Sequence, residues 1–435
     1  MNNIKYLNDF IDEADRGIAE YTPSFMQIRL HKPISDNLAD LNDQDLGILL
    51  HEYIHFLQNV STPWGLYESM VHYNVLSETY THIQQTTLPI ELPLKIEYSE
   101  GLNSKINILQ NGIGDCPLNI NLPTYKIDRN KHINWHRETE NNKRHKTTTI
   151  TIDVALADSK IINIKLGSNI IKESMAAMYQ NLIDKTATHE KADLPYNLVE
   201  ILAEQHYPNI AKAKIKLITI CYISLFSLSP AELLITELEY ANEHPEMSAK
   251  ALFELFINET KIHMKGVQYE VCEFFDIIID TFKDVFTRCL DADIDYLNEL
   301  LAKVRPAEGK IPILSIITDE QPLTREKIDI LINFLGMPYT FTYEGILSLP
   351  PKSTSKQNKL ASDMIALIGH NVLFTYLTQL HKYGYTCPMH NICEKEENTK
   401  EECFDEPWKG MECPMTIMGN KLKLSEKHFK KSKPF

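Results

Sequence analysis

The chain has 435 residues and a formal net charge of −15, and hydrophobic and charged residues make up 43% and 24% of it. Both percentages are ordinary for a soluble globular protein, but the length exceeds what one compact core usually holds, so two or three domains or subdomains are expected. The acidic balance argues against nucleic acid as a partner, because a negative surface repels phosphate backbones.

Targeting and membrane segments are not evident in the sequence. Residues 1–17 lack the basic region followed by an apolar region that marks a secretory signal peptide. The most apolar stretch, 217–226, is too short to cross a bilayer and fits a buried helix. We therefore expect a cytosolic protein that does not enter a membrane. In a reducing compartment, four scattered cysteines are expected to be small buried hydrophobic residues. They are Cys116, Cys221, Cys272 and Cys289.

The first predicted elements are a strand and two helices. Apolar residues within 24–31 predict a strand. Asn42 and Asp43 are good N-caps and begin a helix that is expected to run to about residue 59. Pro63, a residue favoured in the first helical turn, opens a second helix that is expected to run to about residue 85.

Residues 88–167 differ in composition from the helices before them. Prolines and glycines are frequent in the first part and are expected to break any long helix. Two runs typical of strands follow at 147–156 and 160–166, and a short turn joins them, so a β-hairpin is expected. We interpret 88–167 as a β-rich insertion between two segments of one core.

The chain after residue 167 is predicted to be mainly helical as far as about residue 304. The clearest helix start is Ser229, Pro230 and Glu232, where Ser at the N-cap, Pro at the first position and Glu at the third complete a capping box. Another helix is expected over about 168–184. A Pro-rich loop is predicted at 305–323 and is followed by a helix that starts at Thr324. A longer helix is predicted over about 357–383.

An HExxH pattern lies inside the first predicted helix at His51, Glu52 and His55. Residues four apart share one face of a helix, so the two histidines can present ring nitrogens to one metal ion. Glu52 would lie beside that metal, where a carboxylate can hold a water and take its proton. Glu52 is the one charged residue between Leu46 and Gln58, and so apolar a helix must be buried. Buried histidine and glutamate side chains are costly unless a metal or hydrogen bonds satisfy them.

The motif and its flanks resemble the zincin metallopeptidases, whose core is one zinc-bearing HExxH helix packed beneath a small sheet. Gln58 and Ser61 stand where the metzincin branch has Gly and His, so the chain is more similar to gluzincins, in which a glutamate on a later helix is the third ligand. The resemblance implies zinc at His51 and His55, with Glu52 as the general base that passes a proton to the leaving amine. It implies hydrolysis of an amide bond in a protein or peptide.

Glu173 is the preferred third zinc ligand, since a catalytic zinc site needs a third protein ligand. Small residues beside it would let its helix approach the HExxH helix closely. They are Ser174, Ala176 and Ala177. The pattern Glu-x-x-Ala on this helix also resembles the third-ligand segment of several gluzincins. The β-rich insertion would account for the long gap between the motif and Glu173 if its two ends are adjacent in space.

One other glutamate and two hydrogen-bond donors remain as candidates. Glu78 is the alternative third ligand, whereas Glu68 follows the motif too soon for the chain to turn it back. Tyr179 and His206 follow the preferred third ligand and are candidate donors to the transition state.

The C-terminal region contains four cysteines within a short stretch, with His390 among them. They are Cys387, Cys393, Cys403 and Cys413. Soft ligands so close together in a cytosolic chain usually hold a structural site. The absence of a CxxC pair leaves the occupant open, with a second zinc ion favoured over an iron–sulfur cluster, disulfides and unligated thiols.

The sequence as a whole predicts an α+β fold that is predominantly helical. The expected domains are a zincin-like catalytic core at 1–190, a helical accessory domain at 191–384 and a Cys-rich tail at 385–435. The expected function is that of a zinc-dependent hydrolase, a cytosolic metallo-endopeptidase. Two alternatives remain, a metal-stabilised interaction module without hydrolysis and an amidase or deacetylase acting on a small molecule.

Overall fold

A computed structural model describes most of the chain. The described residues are 19–23, 26–30, 38–87, 89–115, 126–141, 146–187, 192–264, 266–290, 295–307, 310–342, 347–348, 357–379, 387, 406–409 and 413–431. They form a mixed α+β structure that is mainly helical and has small sheets, as the sequence predicted. Among these residues, no helix has both the length and the apolar character that spanning a membrane requires.

The helices carry most of the described structure. In chain order they are α1 (Asp43–Ser61), α2 (Pro63–Gln85), α3 (Glu100–Ile113), α4 (Ser168–Ile183), α5 (Leu198–His206), α6 (Lys214–Ser224), α7 (Pro230–Glu243), α8 (Ala249–Glu259), α9 (Val271–Leu290), α10 (Asp295–Val304), α11 (Leu314–Ile317), α12 (Arg325–Leu335), α13 (Gln357–Gln379) and α14 (Pro414–Lys421). Short 3-10 helices occupy Leu38–Asp40 and Leu424–Glu426.

The strands of the described residues are short and form four small sheets. In chain order they are β1 (Ala19–Thr22), β2 (Gln27–Leu30), β3 (Ile90–Leu92), β4 (Asn134–Asn141), β5 (Lys146–Ala155), β6 (Ile161–Lys165), β7 (Lys261–Met264), β8 (Val267–Glu270), β9 (Tyr339–Thr342), β10 (Leu347–Ser348) and β11 (Phe429–Lys431). The sheets have the orders β1-β2-β9-β10, β3-β11, β4-β5-β6 and β7-β8.

Helices α1 and α2 follow each other directly because Thr62 serves both. Its hydroxyl donates to the Gln58 carbonyl oxygen at 2.6 Å and accepts from the Gly65 amide at 3.1 Å, so it closes one helix and caps the next. Asn42 caps α1 by accepting from the Asp45 amide at 2.8 Å. The predicted starts of both helices are confirmed, and α1 runs two residues beyond its predicted end, to Ser61.

The four-stranded sheet joins distant parts of the chain. Strand β2 pairs in parallel with β9, with Ile28 opposite Thr340. The Tyr53 hydroxyl on α1 donates to the Gly336 carbonyl oxygen at 2.8 Å. This bond links the HExxH helix to the segment just before β9. Strand β9 lies within the predicted accessory domain and β2 within the predicted core. The sheet therefore joins residues from both sides of residue 190.

The predicted β-hairpin is confirmed as the antiparallel pair β5 and β6, with Ala155 opposite Ile161. Strand β4 adds to its edge and was not predicted. The expectation that no long helix forms between residues 88 and 167 is wrong, because α3 lies there. Gly112 lies inside α3, where the Trp64 ring packs so closely that a Cβ on residue 112 would lie 2.2 Å from it. The helix ends before Gly114, whose φ is +83°.

The region predicted to be mainly helical contains one small β-hairpin, and its two predicted serine caps differ in outcome. Strands β7 and β8 form a small hairpin between α8 and α9. The helix starts at Pro230 as expected. The predicted capping box is wrong, because the Ser229 side chain makes no capping hydrogen bond. Ser248 does cap its helix, accepting from the Ala251 amide at 3.1 Å.

The C-terminal part of the described chain packs on its N-terminal half. Strand β11 pairs in parallel with β3, with Phe429 opposite Ile90, and α14 packs against α13. The Leu94 amide donates to the Leu377 carbonyl oxygen at 2.8 Å. One cluster of buried apolar side chains extends from Tyr21 to residues of the tail. This cluster includes described residues from each of the three predicted segments.

Candidate metal centre

Helix α1 presents the HExxH motif from a buried position. His51 and Glu52 are each 7% exposed, and the apolar side chains around them on α1 are buried. His51 and His55 lie one turn apart, and their ring centroids are 4.9 Å apart. The period of the helix thus places both imidazoles on the same side, as the i, i+4 spacing predicts.

Helix α4 crosses close to α1, and a glycine allows that approach. A Cβ on Gly47 would lie 3.0 Å from Cβ of Asp184 and 3.2 Å from Cγ of Gln180. Ser174 and Ala176, which the sequence predicted to favour a close approach, are fully buried on α4. A larger side chain at residue 47 would have to displace α4, because packed interiors have little free space.

The two helices bring His51, His55 and Glu173 together. Nε2 of His51 lies 3.2 Å from Oε2 of Glu173 and 3.2 Å from Nε2 of His55. Nε2 of His55 lies 3.3 Å from Oε1 of Glu173. Among the described residues, these three form the one group of at least three potential ligands whose donor atoms all lie within 4.8 Å of one another.

The separations of these atoms match what a small tetrahedral ion requires. Ligand atoms about 2.0–2.1 Å from a tetrahedral zinc ion are about 3.3 Å from each other. The two histidine Nε2 atoms lie 3.2 Å apart, Nε2 of His51 lies 3.2 Å from Oε2 of Glu173, and Nε2 of His55 lies 3.3 Å from Oε1 of the same carboxylate. Two imidazoles and one carboxylate are also the donor types that zinc accepts in catalytic sites, where a fourth position stays open.

The electrostatics of the group favour a charged carboxylate beside a histidine that holds a proton. Burial alone would raise the pKa of Glu173, but His55 and His51 outweigh it and hold that pKa well below its usual range. Burial alone would lower the pKa of His55, but the negative charges of Glu173 and Glu52 outweigh it and raise that pKa. The group therefore attracts positive charge, which either a proton or a metal cation can supply.

The group is shielded on one side and reachable on another. The side chains of His51 and His55 are 8% and 13% exposed, whereas that of Glu173 is 26% exposed. Solvent or a ligand can therefore approach most readily from the Glu173 side.

The structure places the other two candidate glutamates elsewhere. The Glu78 carboxylate accepts from the Ser99 amide at 2.9 Å and from the Ser99 hydroxyl at 2.6 Å, next to the start of α3. Glu68 is 1% exposed and pairs with Lys172, whose Nζ lies 3.0 Å from its Oε2. Neither belongs to the group formed by the two histidines and Glu173.

Tyr179 and His206, the predicted transition-state donors, have backbone partners outside the group. The Tyr179 hydroxyl donates to the Ile317 carbonyl oxygen at 3.4 Å. Nε2 of His206 lies 2.7 Å from the Ile133 carbonyl oxygen, and its ring lies 4.5 Å from that of His132. Among the described contacts, neither side chain bonds to His51 or His55.

A tyrosine that the sequence did not single out lies beside the motif. The ring of Tyr196 is half-buried and meets the ring of His51 edge to face, with centroids 6.0 Å apart. Ser174, next to Glu173 in the chain, donates to the Pro195 carbonyl oxygen at 2.9 Å and ties this turn to α4. Asp193 secures the turn from the other side by accepting from the Ile127 amide at 2.9 Å. No local pattern in the sequence marks Tyr196, because its position depends on these contacts.

The predicted C-terminal site is described in part. Cys393, Cys403 and His390 lie outside the described residues. Cys387 is buried, and Cys413 caps α14, with its Sγ 3.4 Å from the Thr416 amide. A structural metal in the tail stays a prediction.

Comparison with known proteins gives no match. No protein-family model matches the sequence, no curated protein matches it, and no solved structure matches the fold. The geometry around His51, His55 and Glu173 is therefore what carries a functional proposal.

Proposed function

We propose that this chain is a zinc-dependent hydrolase, a cytosolic metallo-endopeptidase that cleaves a protein or peptide substrate. The observation that carries the proposal is the meeting of His51, His55 and Glu173: the two Nε2 atoms lie 3.2 Å apart, and each lies 3.2 or 3.3 Å from one of the two oxygens of the Glu173 carboxylate. Two histidines and one carboxylate leave an open position on a tetrahedral ion, which is typical of hydrolytic rather than structural zinc. Among the described residues, Cys221, Cys272, Cys289 and Cys413 are free thiols, which is consistent with a reducing compartment.

Zinc held by these residues would supply a water acidic enough to act as a nucleophile at neutral pH and a Lewis acid for the substrate carbonyl. Glu52 follows His51 in α1, and its charge acts on His55. We assign Glu52 the transfer of the proton, from the attacking water to the nitrogen of the leaving amine. Glu52 is buried, so its carboxylate is shielded from bulk water beside the proposed metal ligands.

Tyr196 is the proposed hydrogen-bond donor to the oxygen of the substrate carbonyl. Its ring contacts His51 and stays half-buried, so one part of the side chain packs while another part remains accessible. Ser174 and Asp193 fix the turn that carries it. A donor held in place before the reaction stabilises developing negative charge without reorganisation at the moment of reaction.

The proposal is tested by metal content and hydrolysis measured on the same samples. We expect the purified protein to bind zinc through this site and to cleave peptides from a degenerate library. A chelator should abolish cleavage, and added zinc should restore it. Glu52→Gln should keep the zinc of this site, because all three proposed ligands remain, and should lose several orders of magnitude in rate.

Different outcomes separate the competing functions. Zinc bound by His51 and His55 without cleavage of any amide would favour a metal-stabilised interaction module. Cleavage of small acyl amides without peptides would favour an amidase or deacetylase. A Glu52→Gln variant that cleaves at the wild-type rate would remove the general-base role from this residue.

A further inference from the structure

We infer that Gln58 is a positioning residue that sets the tautomer of His55 and links the two helices that carry the proposed ligands. The inference rests on the proposed metal site for its effect on zinc affinity, but the tautomer itself is a property of the metal-free protein. Gln58 is fully buried on α1, one turn after His55. A buried primary amide is costly unless its donors and its acceptor find partners.

The orientation of the Gln58 amide is determined by a partner that can only accept. Nε2 of Gln58 lies 3.0 Å from the backbone carbonyl oxygen of Lys172 on α4. A carbonyl oxygen has no proton to donate, so the NH₂ group of Gln58 must face it. The amide oxygen then faces the opposite direction.

That direction leads to His55. Oε1 of Gln58 lies 2.9 Å from Nδ1 of His55. Because the amide oxygen can only accept, Nδ1 must carry the hydrogen of this bond. A neutral His55 then has its lone pair on Nε2, which is the atom that lies 3.3 Å from the Glu173 carboxylate. The ring is thus prepared to bind a cation through Nε2.

The same amide connects both proposed ligand helices. Lys172, whose carbonyl accepts from Gln58, directly precedes Glu173 in α4. The Lys172 side chain pairs with the buried carboxylate of Glu68 on α2 at 3.0 Å, so α4 is anchored on that side as well. Gln58 therefore relates the orientation of the His55 ring to the position of the Glu173 backbone.

The experiment reads the tautomer of His55 by nitrogen-15 NMR of the imidazole rings in the metal-free protein, at a pH where the ring is neutral. In the wild type we expect a protonated Nδ1 and an unprotonated Nε2. Gln58→Met keeps the length of the side chain but removes the acceptor, and should release this restriction. Gln58→Glu keeps an acceptor and should preserve the Nδ1–H tautomer. Asn59→Ala is the matched control, because this neighbouring buried amide bonds to Gly65 and Ser69 and to no proposed ligand.

Zinc affinity measured by competition with a chelator gives the second readout. Loss of a partner behind a histidine ligand weakens metal binding by about 10–100-fold, which we expect for Gln58→Met and not for Asn59→Ala. An Nε2–H tautomer in the wild type, or a Gln58→Met protein with unchanged tautomer and affinity, would overturn the inference. If the wild type has the expected tautomer but binds no zinc, the proposed function fails while the positioning of His55 by Gln58 stands.

Discussion

Nε2 of His51 lies 3.2 Å from Oε2 of Glu173, although 122 residues separate them in the chain. Helix α1 brings the histidine and helix α4 brings the carboxylate, and the β-rich segment between them returns the chain to the same place. The candidate centre is therefore assembled by the packing of two helices, with local sequence accounting for the histidine pair alone.

Loss of Glu173 should weaken zinc binding strongly, whereas loss of Glu78 should not. Glu173→Ala removes one of three proposed ligands and leaves two histidines, which do not hold catalytic zinc stably. Glu78→Ala removes a carboxylate that bonds to Ser99, so it should affect the start of α3 instead. Zinc per chain after dialysis, measured by atomic emission, distinguishes the two variants. Full zinc content in Glu173→Ala together with depletion in Glu78→Ala would identify Glu78 as the third ligand instead.

Tyr196→Phe should slow hydrolysis without releasing zinc. The phenylalanine keeps the ring that packs on His51 and removes the proposed donor, so kcat should fall by about 100-fold. Tyr179→Phe is the matched control, because the Tyr179 hydroxyl bonds to the Ile317 carbonyl oxygen. Steady-state kinetics on one cleaved peptide provide the comparison. Equal loss of rate in both variants would argue against a specific role for Tyr196.

Acid should destabilise the protein through buried neutral histidines. Burial lowers the pKa of His72 to about 4, and burial together with the charge of Lys421 lowers that of His370 to about 3. The unfolded chain binds these protons near its ordinary pKa of about 6.5, so stability is intact above that pH and falls as the pH drops toward the folded values.

His72→Phe should reduce this sensitivity, since a phenylalanine can keep the ring contact with Phe374. We expect the loss of unfolding free energy between about pH 7 and pH 5 to be smaller by about 2 kcal/mol. Urea unfolding at both pH values measures it. The exposed His82 on the same helix offers a control, and His82→Gln should leave the pH dependence unchanged.

A metal in the C-terminal tail should survive removal of the histidine pair. If the tail cysteines hold a structural ion, wild type should carry about two metal ions per chain and a His51→Ala, His55→Ala double variant about one. Adding Cys387→Ser should remove the remaining ion. A metal-free double variant would contradict the tail site.

Local signals in the sequence predicted the parts of the fold that depend on neighbouring residues. Asn42 and Pro63 mark helix starts that the structure has, and the runs around β5 and β6 form the expected hairpin. The i, i+4 spacing of His51 and His55 likewise predicts their shared face, because the helix period alone determines it.

Features that depend on tertiary contacts were missed. Gly112 lies in α3 because the Trp64 ring packs where a side chain of residue 112 would be, and this contact is not visible in local sequence. Strand β9 was not predicted, since its pairing with β2 is formed by residues more than 300 positions apart. Tyr196 reaches His51 through bonds that Ser174 and Asp193 make to its turn, and no sequence spacing encodes them.

The pairing of β2 with β9 has a consequence for how the protein is made. Residues 27–30 leave the ribosome long before residues 339–342, so β2 waits without its parallel neighbour while most of the chain is synthesised. The Tyr53 hydroxyl also lacks its acceptor during this time, since the Gly336 carbonyl belongs to the same late segment. A nascent chain would thus carry the HExxH helix without its contact to Gly336 and without the completed sheet. The proposed site would be fully supported only near the end of translation. For the proposed endopeptidase, such a delay would keep peptide hydrolysis away from the polysome that produces it.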